Sequence, residues 1–215
     1  MKLSNLIWVI VCIAIPFAYA FYLFPSLPET IPTHFNLEGK TDAWGNKSFV
    51  FLPAAILGLT SLFCYFLLTN LKSIDPKRVA KADEGLYTKM ALYLVAFLSA
   101  LSLVIIYSTA HEGIKISQLL FPLLGLFMAG FGAYMRNIKQ NYFAGFRLPW
   151  TLENEENWNA THILAGKVWM IGGSLQFLSG LIFDGQLAFG IFMTLILLMV
   201  LIPSAYSYIL FRNRF

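Results

Sequence analysis

Three histidines and a few acids are the residues on which chemistry would have to rest. His34 stands near Glu29, Glu38 and Asp42, and the pair His111-Glu112 follows later. Imidazoles and carboxylates are zinc ligands, but a zinc site needs three or four of them at fixed geometry. This spacing matches no metal motif, so His34 reads as a histidine that orders its segment by hydrogen bonds or meets a partner. An enzymatic reading requires His34, Asp42, His111 and Glu112 to converge. The third histidine, His162, lies four residues after Trp158 and shares a helix face with it. Its imidazole titrates near neutrality unless its surroundings intervene. Upstream, Arg147-Leu148-Pro149-Trp150 reads as a turn, because proline biases Leu148 away from helix. A guanidinium held beside such a turn suits an internal carboxylate, a lipid phosphate or a protein partner. No catalytic set, metal site or cofactor motif emerges, and the chain reads as a non-enzyme.

The elements that must position these residues are apolar. The 215 residues are 58% hydrophobic and 12% charged, with mean hydropathy +0.68. Soluble domains carry about 25% charged residues, so lipid must be the solvent for most of this chain. Six runs reach the roughly 20 residues that cross a bilayer core: 5–24, 49–71, 90–110, 116–135, 163–183 and 187–211. Only the fifth carries a formal charge, Lys167, placed about one turn from its end, where it snorkels. Lys2 and Ala18-Tyr19-Ala20 have the look of a signal peptide, but the apolar run continues through Phe24, and an uncleaved first helix is expected. Cys12 and Cys64 lie inside apolar runs without metal or disulfide spacing and read as packing residues.

Charge sets the orientation. Twelve of the fifteen Lys and Arg fall on one side of the six runs. Lys40, Lys47 and Lys115 fall on the other. Basic residues stay cytoplasmic, so both termini are expected inside. The expected fold is an all-α integral membrane protein with six transmembrane helices and one ordered outer loop, residues 25–48. No basic stripe points to nucleic acid.

Within that outer loop, Pro28 and Pro32 favour extended backbone. Asn36-Leu37-Glu38-Gly39 has turn chemistry, and a second extended piece carries Asp42 and Trp44. In the inner loop, residues 136–162, Thr151 is placed to cap a helix start, with Glu153, Glu155 and Glu156 at its positive end. That helix runs on into the fifth span. Trp150 and Trp158 read as interfacial anchors. The alternative is a rigid cytoplasmic platform. Gly125, Ala129 and Ala133, and Gly166, Gly173 and Gly180, form small-residue stripes that let helices approach within the chain or, alternatively, between two copies of it.

At these two loops the chain resembles a known family. Leu27-Pro28, Ile31-Pro32, His34-Phe35-Asn36, Gly39-Lys40, Asp42 and Lys47 look like the N-terminal domain of the SdpI family. Asn141, Gly145, Arg147, Pro149-Trp150-Thr151, Trp158, His162 and Gly166 look like its C-terminal signature. Phe146-Arg147-Leu148 departs from the smaller polar residue that many members carry before the proline. The resemblance implies a bacterial multi-pass inner-membrane protein of immunity and signalling type. Pro32, His34, Asn36, Gly39, Asp42 and Lys47 would then face an extracellular peptide toxin. Asn141, Gly145, Arg147, Pro149, Trp150, Thr151, Trp158 and His162 would form the inner motif, with a cytoplasmic ArsR-like repressor as partner and no cofactor. It also implies a division into residues 1–71, a linking stretch 72–115, and an SdpI-type domain 116–215. A small transporter or channel is the alternative. It is disfavoured because the span centres offer only Gln176 and hydroxyls, whereas coupled transporters carry ionisable groups there.

Overall fold

The structure, a computed structural model, describes residues 2–36, 39–74, 84–111 and 113–214. Glu38 and Glu112, named above, and the inner-loop cations Lys77, Arg78 and Lys81, counted above among the basic residues, lie outside the described residues. Helix α1 is Leu3–Leu23, α2 is Leu52–Thr69, α3 is Leu71–Ile74 and α4 is Glu84–Ala110. Helix α5 is Ser117–Met135, α6 is Pro149–Glu153, α7 is Glu155–Ile182 and α8 is Gly185–Arg214. Strands β1 (Thr30–Phe35) and β2 (Thr41–Asn46) form one antiparallel hairpin between α1 and α2. The rest of the described regular structure is helical, as expected, and the hairpin is the ordered loop between the first two long helices. The outer loop is extended because Pro32 cannot continue a helix and the Asn36–Gly39 turn folds the chain back on itself.

Among the described residues, five helices are long and apolar enough to cross a membrane: α1, α2, α4, α5 and α8. Helix α7 has the length, 28 residues, but Gly166, Lys167, Gly172, Gly173, Gln176 and Gly180 dilute its apolar character. Those small residues are used for contact instead. A methyl group on Gly173 would strike the Ala129 amide and lie 2.7 Å from the Gly125 carbonyl oxygen. One on Gly180 would come within 2.7 Å of Pro122 Cδ, and one on Gly132 within 2.8 Å of the Gly166 carbonyl oxygen. Lipid gives no hydrophobic drive between helices, so such backbone-to-backbone approach is the main source of attraction. The expected α5 stripe is corrected at one place: Gly132, not the exposed Ala133, meets α7.

The helices sort into two units. Helices α1, α2 and α4 pack together, and α5, α7 and α8 pack together, with α4 against α5 as the junction. The hairpin belongs to the first unit. Ile31 and Leu27 are buried with Ala20, Val50, Ala54 and Ile106, which pins its base to α1, α2 and α4.

Candidate functional site

The hairpin is closed at both ends by side chains. At its tip the Lys40 amide donates to Asn36 Oδ1 at 3.0 Å, and the Gly39 amide donates to the Asn36 carbonyl at 2.9 Å. Gly39 has φ +76°, a conformation in which an L side chain is strained. At its base Lys47 Nζ lies 2.8 Å from Glu29 Oε1 and 5.2 Å from the Phe24 ring centroid. Between them, His34 Nδ1 lies 2.5 Å from Asp42 Oδ1, an exposed pair. Exposed ion pairs contribute about 0–1 kcal/mol, so the pair orients His34 more than it stabilises the strand.

His111 is held elsewhere. Its Nδ1 lies 2.9 Å from the Tyr107 carbonyl and its ring stacks on Tyr107 at 4.2 Å. Among the described residues, no three of His, Cys, Asp and Glu gather as metal ligands. Cys12 is buried and Cys64 half-buried, both as free thiols.

Below the hairpin lies an apolar cavity of about 750 Å³, framed by α2, α4, α5 and α8. Four of the six outer candidates, Pro32, His34, Asn36 and Gly39, line it; Asp42 joins through His34, and Lys47 stands apart at the hairpin base. The turn reaches across to the second unit: a methyl on Gly39 would sit 3.4 Å from both Lys115 Cβ and Ser117 Oγ. Beside them Lys115 pairs with Asp184 at 2.5 Å, tying the α4–α5 turn to the α7–α8 turn.

The inner motif is a hydrogen-bonded knot. Asn141, fully buried, accepts from the Phe143 and Ala144 amides at 2.7 and 2.8 Å. Its Nδ2 donates to the Lys139 carbonyl at 2.7 Å and reaches Tyr87 Oη at 3.3 Å. This bend delivers Gly145, at φ +109°, against the His162 ring. The Phe146 amide then donates to His162 Nε2 at 3.0 Å, while Nδ1 lies 2.8 Å from the Trp158 carbonyl. A carbonyl only accepts and an amide only donates, so the ring is neutral with its proton on Nδ1. Burial lowers the His162 pKa to about 4, only partly opposed by the Trp158 carbonyl. The expectation of titration near neutrality is corrected: protonation would aim a second N–H at the Phe146 amide.

Trp158 is fully buried, stacked on His162 at 4.1 Å, and donates to the Ile138 carbonyl at 2.7 Å. It is a core residue, not the interfacial anchor expected. Trp150 is half-buried, donates to Ser207 Oγ at 2.8 Å, and packs on Tyr208 and Phe211 of α8. Leu148 is extended as expected, but Pro149 opens α6 rather than a turn. Thr151 does not cap the long helix. It lies within α6, accepts from the Leu148 amide at 2.9 Å and reaches the Phe146 carbonyl at 2.6 Å. The cap of α7 is Asn154, whose Oδ1 accepts from the Asn157 amide at 2.8 Å; Glu155 and Glu156 stand in the first turn. A threonine already inside one short helix cannot cap the next.

Arg147 is exposed and donates from Nη1 to the Tyr142 carbonyl at 2.7 Å, closing the bend from outside. Two participants escaped the sequence reading. Buried Asn157 accepts from Ser207 Oγ at 2.8 Å and donates to the Ser207 carbonyl at 3.0 Å. Gln140 donates to the Thr151 and Leu152 carbonyls at 2.8 and 2.9 Å. The Asn157 bonds join residues fifty positions apart, which no local pattern discloses.

The chain is similar to known proteins in both regions. A family model described as a domain of unknown function, DUF1648, matches residues 11–58, which include the hairpin. A relative named Immunity protein SdpI, from Bacillus subtilis (strain 168), is 29% identical over 97% of this chain and 95% of its own length. No solved structure matches the chain significantly. The model of the SdpI/YfhL protein family matches residues 137–207, the span that holds Asn141, Arg147, Trp158, His162 and Ser207. This chain, a multi-pass cell-membrane protein, is thus similar to the SdpI/YfhL family over residues 137–207.

Proposed function

We propose that this protein confers immunity to an extracellular antimicrobial peptide. The observation that carries the reading is the near full-length similarity to a relative named as an immunity protein. In this reading six helices cross the membrane, α7 being the sixth. Lys89, Arg136, Lys139 and Arg147 lie inside with both termini, and the hairpin lies outside. The asymmetry of Lys and Arg supports that sidedness. The outer site is Pro32, His34, Asn36, Gly39, Asp42 and Lys47, presented on a hairpin that both units hold. The inner site is the knot around His162, with Arg147 on its surface, and its partner is a small cytoplasmic repressor of ArsR type held at the membrane when the peptide is present. Neither role needs catalysis, a cofactor, a metal or nucleic acid, and a second copy of the chain is not required.

The test is survival. A peptide-sensitive Bacillus strain lacking its own immunity gene is given this protein and challenged with the peptide that its relative resists and with related peptides. Growth at concentrations that kill the vector control is expected. Killing identical to the control by every peptide, with the protein present in the membrane, would sink the reading.

A further inference from the structure

We propose that the cavity beneath the hairpin holds one acyl chain of a membrane lipid, with the lipid's polar end at the rim where Thr109 and Ser117 stand. The inference does not rest on the immunity reading. It rests on the size, lining and depth of the cavity.

Depth comes first. Ser117 and Leu124, both on α5, bracket the cavity along that helix. Seven residues at 1.5 Å each make about 10 Å, a third of the roughly 30 Å hydrocarbon core. The cavity therefore extends into the hydrocarbon depth. It lies between the two helical units, and among its lining residues Phe49, just before α2, and Leu52 and Ile56 on α2 are exposed, Ile56 by 60%.

Size and chemistry then select the occupant. A helix with its side chains is about 10–12 Å across, so two turns fill roughly 850–1,200 Å³. The cavity, about 750 Å³, is too small for even that length of helical peptide. An extended peptide would fit but would bring an unpaired N–H and C=O at every residue, each costing several kcal/mol in hydrocarbon. The lining is almost wholly carbon, with five phenylalanines and no Lys, Arg, Asp or Glu, and below β1 it is made largely of helices, whose backbone groups are already paired within themselves. A hydrocarbon chain brings no polar group at all. The hydroxyls of Thr109 and Ser117, both buried, lie on the hairpin side, where the ester end of a lipid needs donors.

The test is native mass spectrometry of the full-length protein, released by mild detergent from nanodiscs of one defined phospholipid. Wild type is expected to retain one lipid. Leu124→Trp, which fills the cavity, is expected to lower retention at least tenfold. Leu126→Trp, on an exposed part of the same helix, should behave as wild type. Loss of retention in wild type, equal retention in the two variants, or a retained peptide instead of lipid overturns the proposal. Should Leu124→Trp not fold, a lipid with a diazirine at its chain terminus is crosslinked to wild type. Adducts on Phe121, Leu124 or Phe192 support the proposal; adducts confined to Leu126 and other outward residues overturn it.

Discussion

The Phe146 amide donates to His162 Nε2 across sixteen residues at 3.0 Å, and this one bond ties the Asn141–Gly145 bend to the start of α7. Leaving a buried donor unpaired costs about 1–3 kcal/mol, and removing the ring opens space beside Trp158 as well. His162→Ala should therefore destabilise the protein by about 2–4 kcal/mol. Thermal unfolding in detergent measures it, and a melting temperature equal to wild type would refute the knot.

The same histidine predicts acid sensitivity. Its folded pKa is lowered to about 4 from 6.5, so the unfolded chain binds the proton first. Stability is then full above about pH 6.5 and falls as pH drops toward 4, by up to about 3 kcal/mol. His162→Gln should start less stable but show a flatter acid limb. Parallel slopes for the two proteins between pH 6.5 and 4 would exclude His162 as the cause.

Two glycines with positive φ separate backbone strain from collision. Gly145 has φ +109° and faces the His162 ring, whereas Gly113 has φ +87° with no atom within 4 Å of an added Cβ. Gly113→Ala should cost about 1–2 kcal/mol from conformation alone. Gly145→Ala adds displacement of a ring fixed at both nitrogens and should cost about 3 kcal/mol or more. Equal melting temperatures for the two variants count against the contact.

Helix approach is tested the same way. Gly173→Ala drives a methyl into the backbone of Ala129 and Gly125, while Gly190 on α8 has open space. The first should lower stability by about 2 kcal/mol or more and the second change it by about 1 kcal/mol or less. A Gly173→Ala protein as stable as Gly190→Ala would mean that α5 and α7 do not touch as described.

Arg147→Ala removes the bond to the Tyr142 carbonyl and should cost about 1 kcal/mol, against about 0.5 kcal/mol or less for exposed Lys139→Ala. In a pull-down of cytoplasmic partners, Arg147→Ala should lose more binding than Lys139→Ala. Equal binding by both removes Arg147 from the proposed inner site.

Much was legible before any coordinates because lipid imposes simple rules. Low charge and apolar runs of about 20 residues predict spanning helices, and five of the six runs meet that description. Proline before an Asn–Gly turn predicts extended backbone, and Pro32, Asn36 and Gly39 sit in a hairpin. These are local effects: the cause lies within a few residues of its consequence. The tertiary structure decided what depends on distant neighbours. It placed Trp158 in the core, moved the α7 cap from Thr151 to Asn154, and removed the His162 charge by surrounding the ring with fixed partners. It joined Asn157 to Ser207, kept His111 on Tyr107, and framed an apolar cavity with residues from both helical units. Hydropathy and turn chemistry are properties of short segments, whereas burial and hydrogen-bond partners are properties of the packed whole.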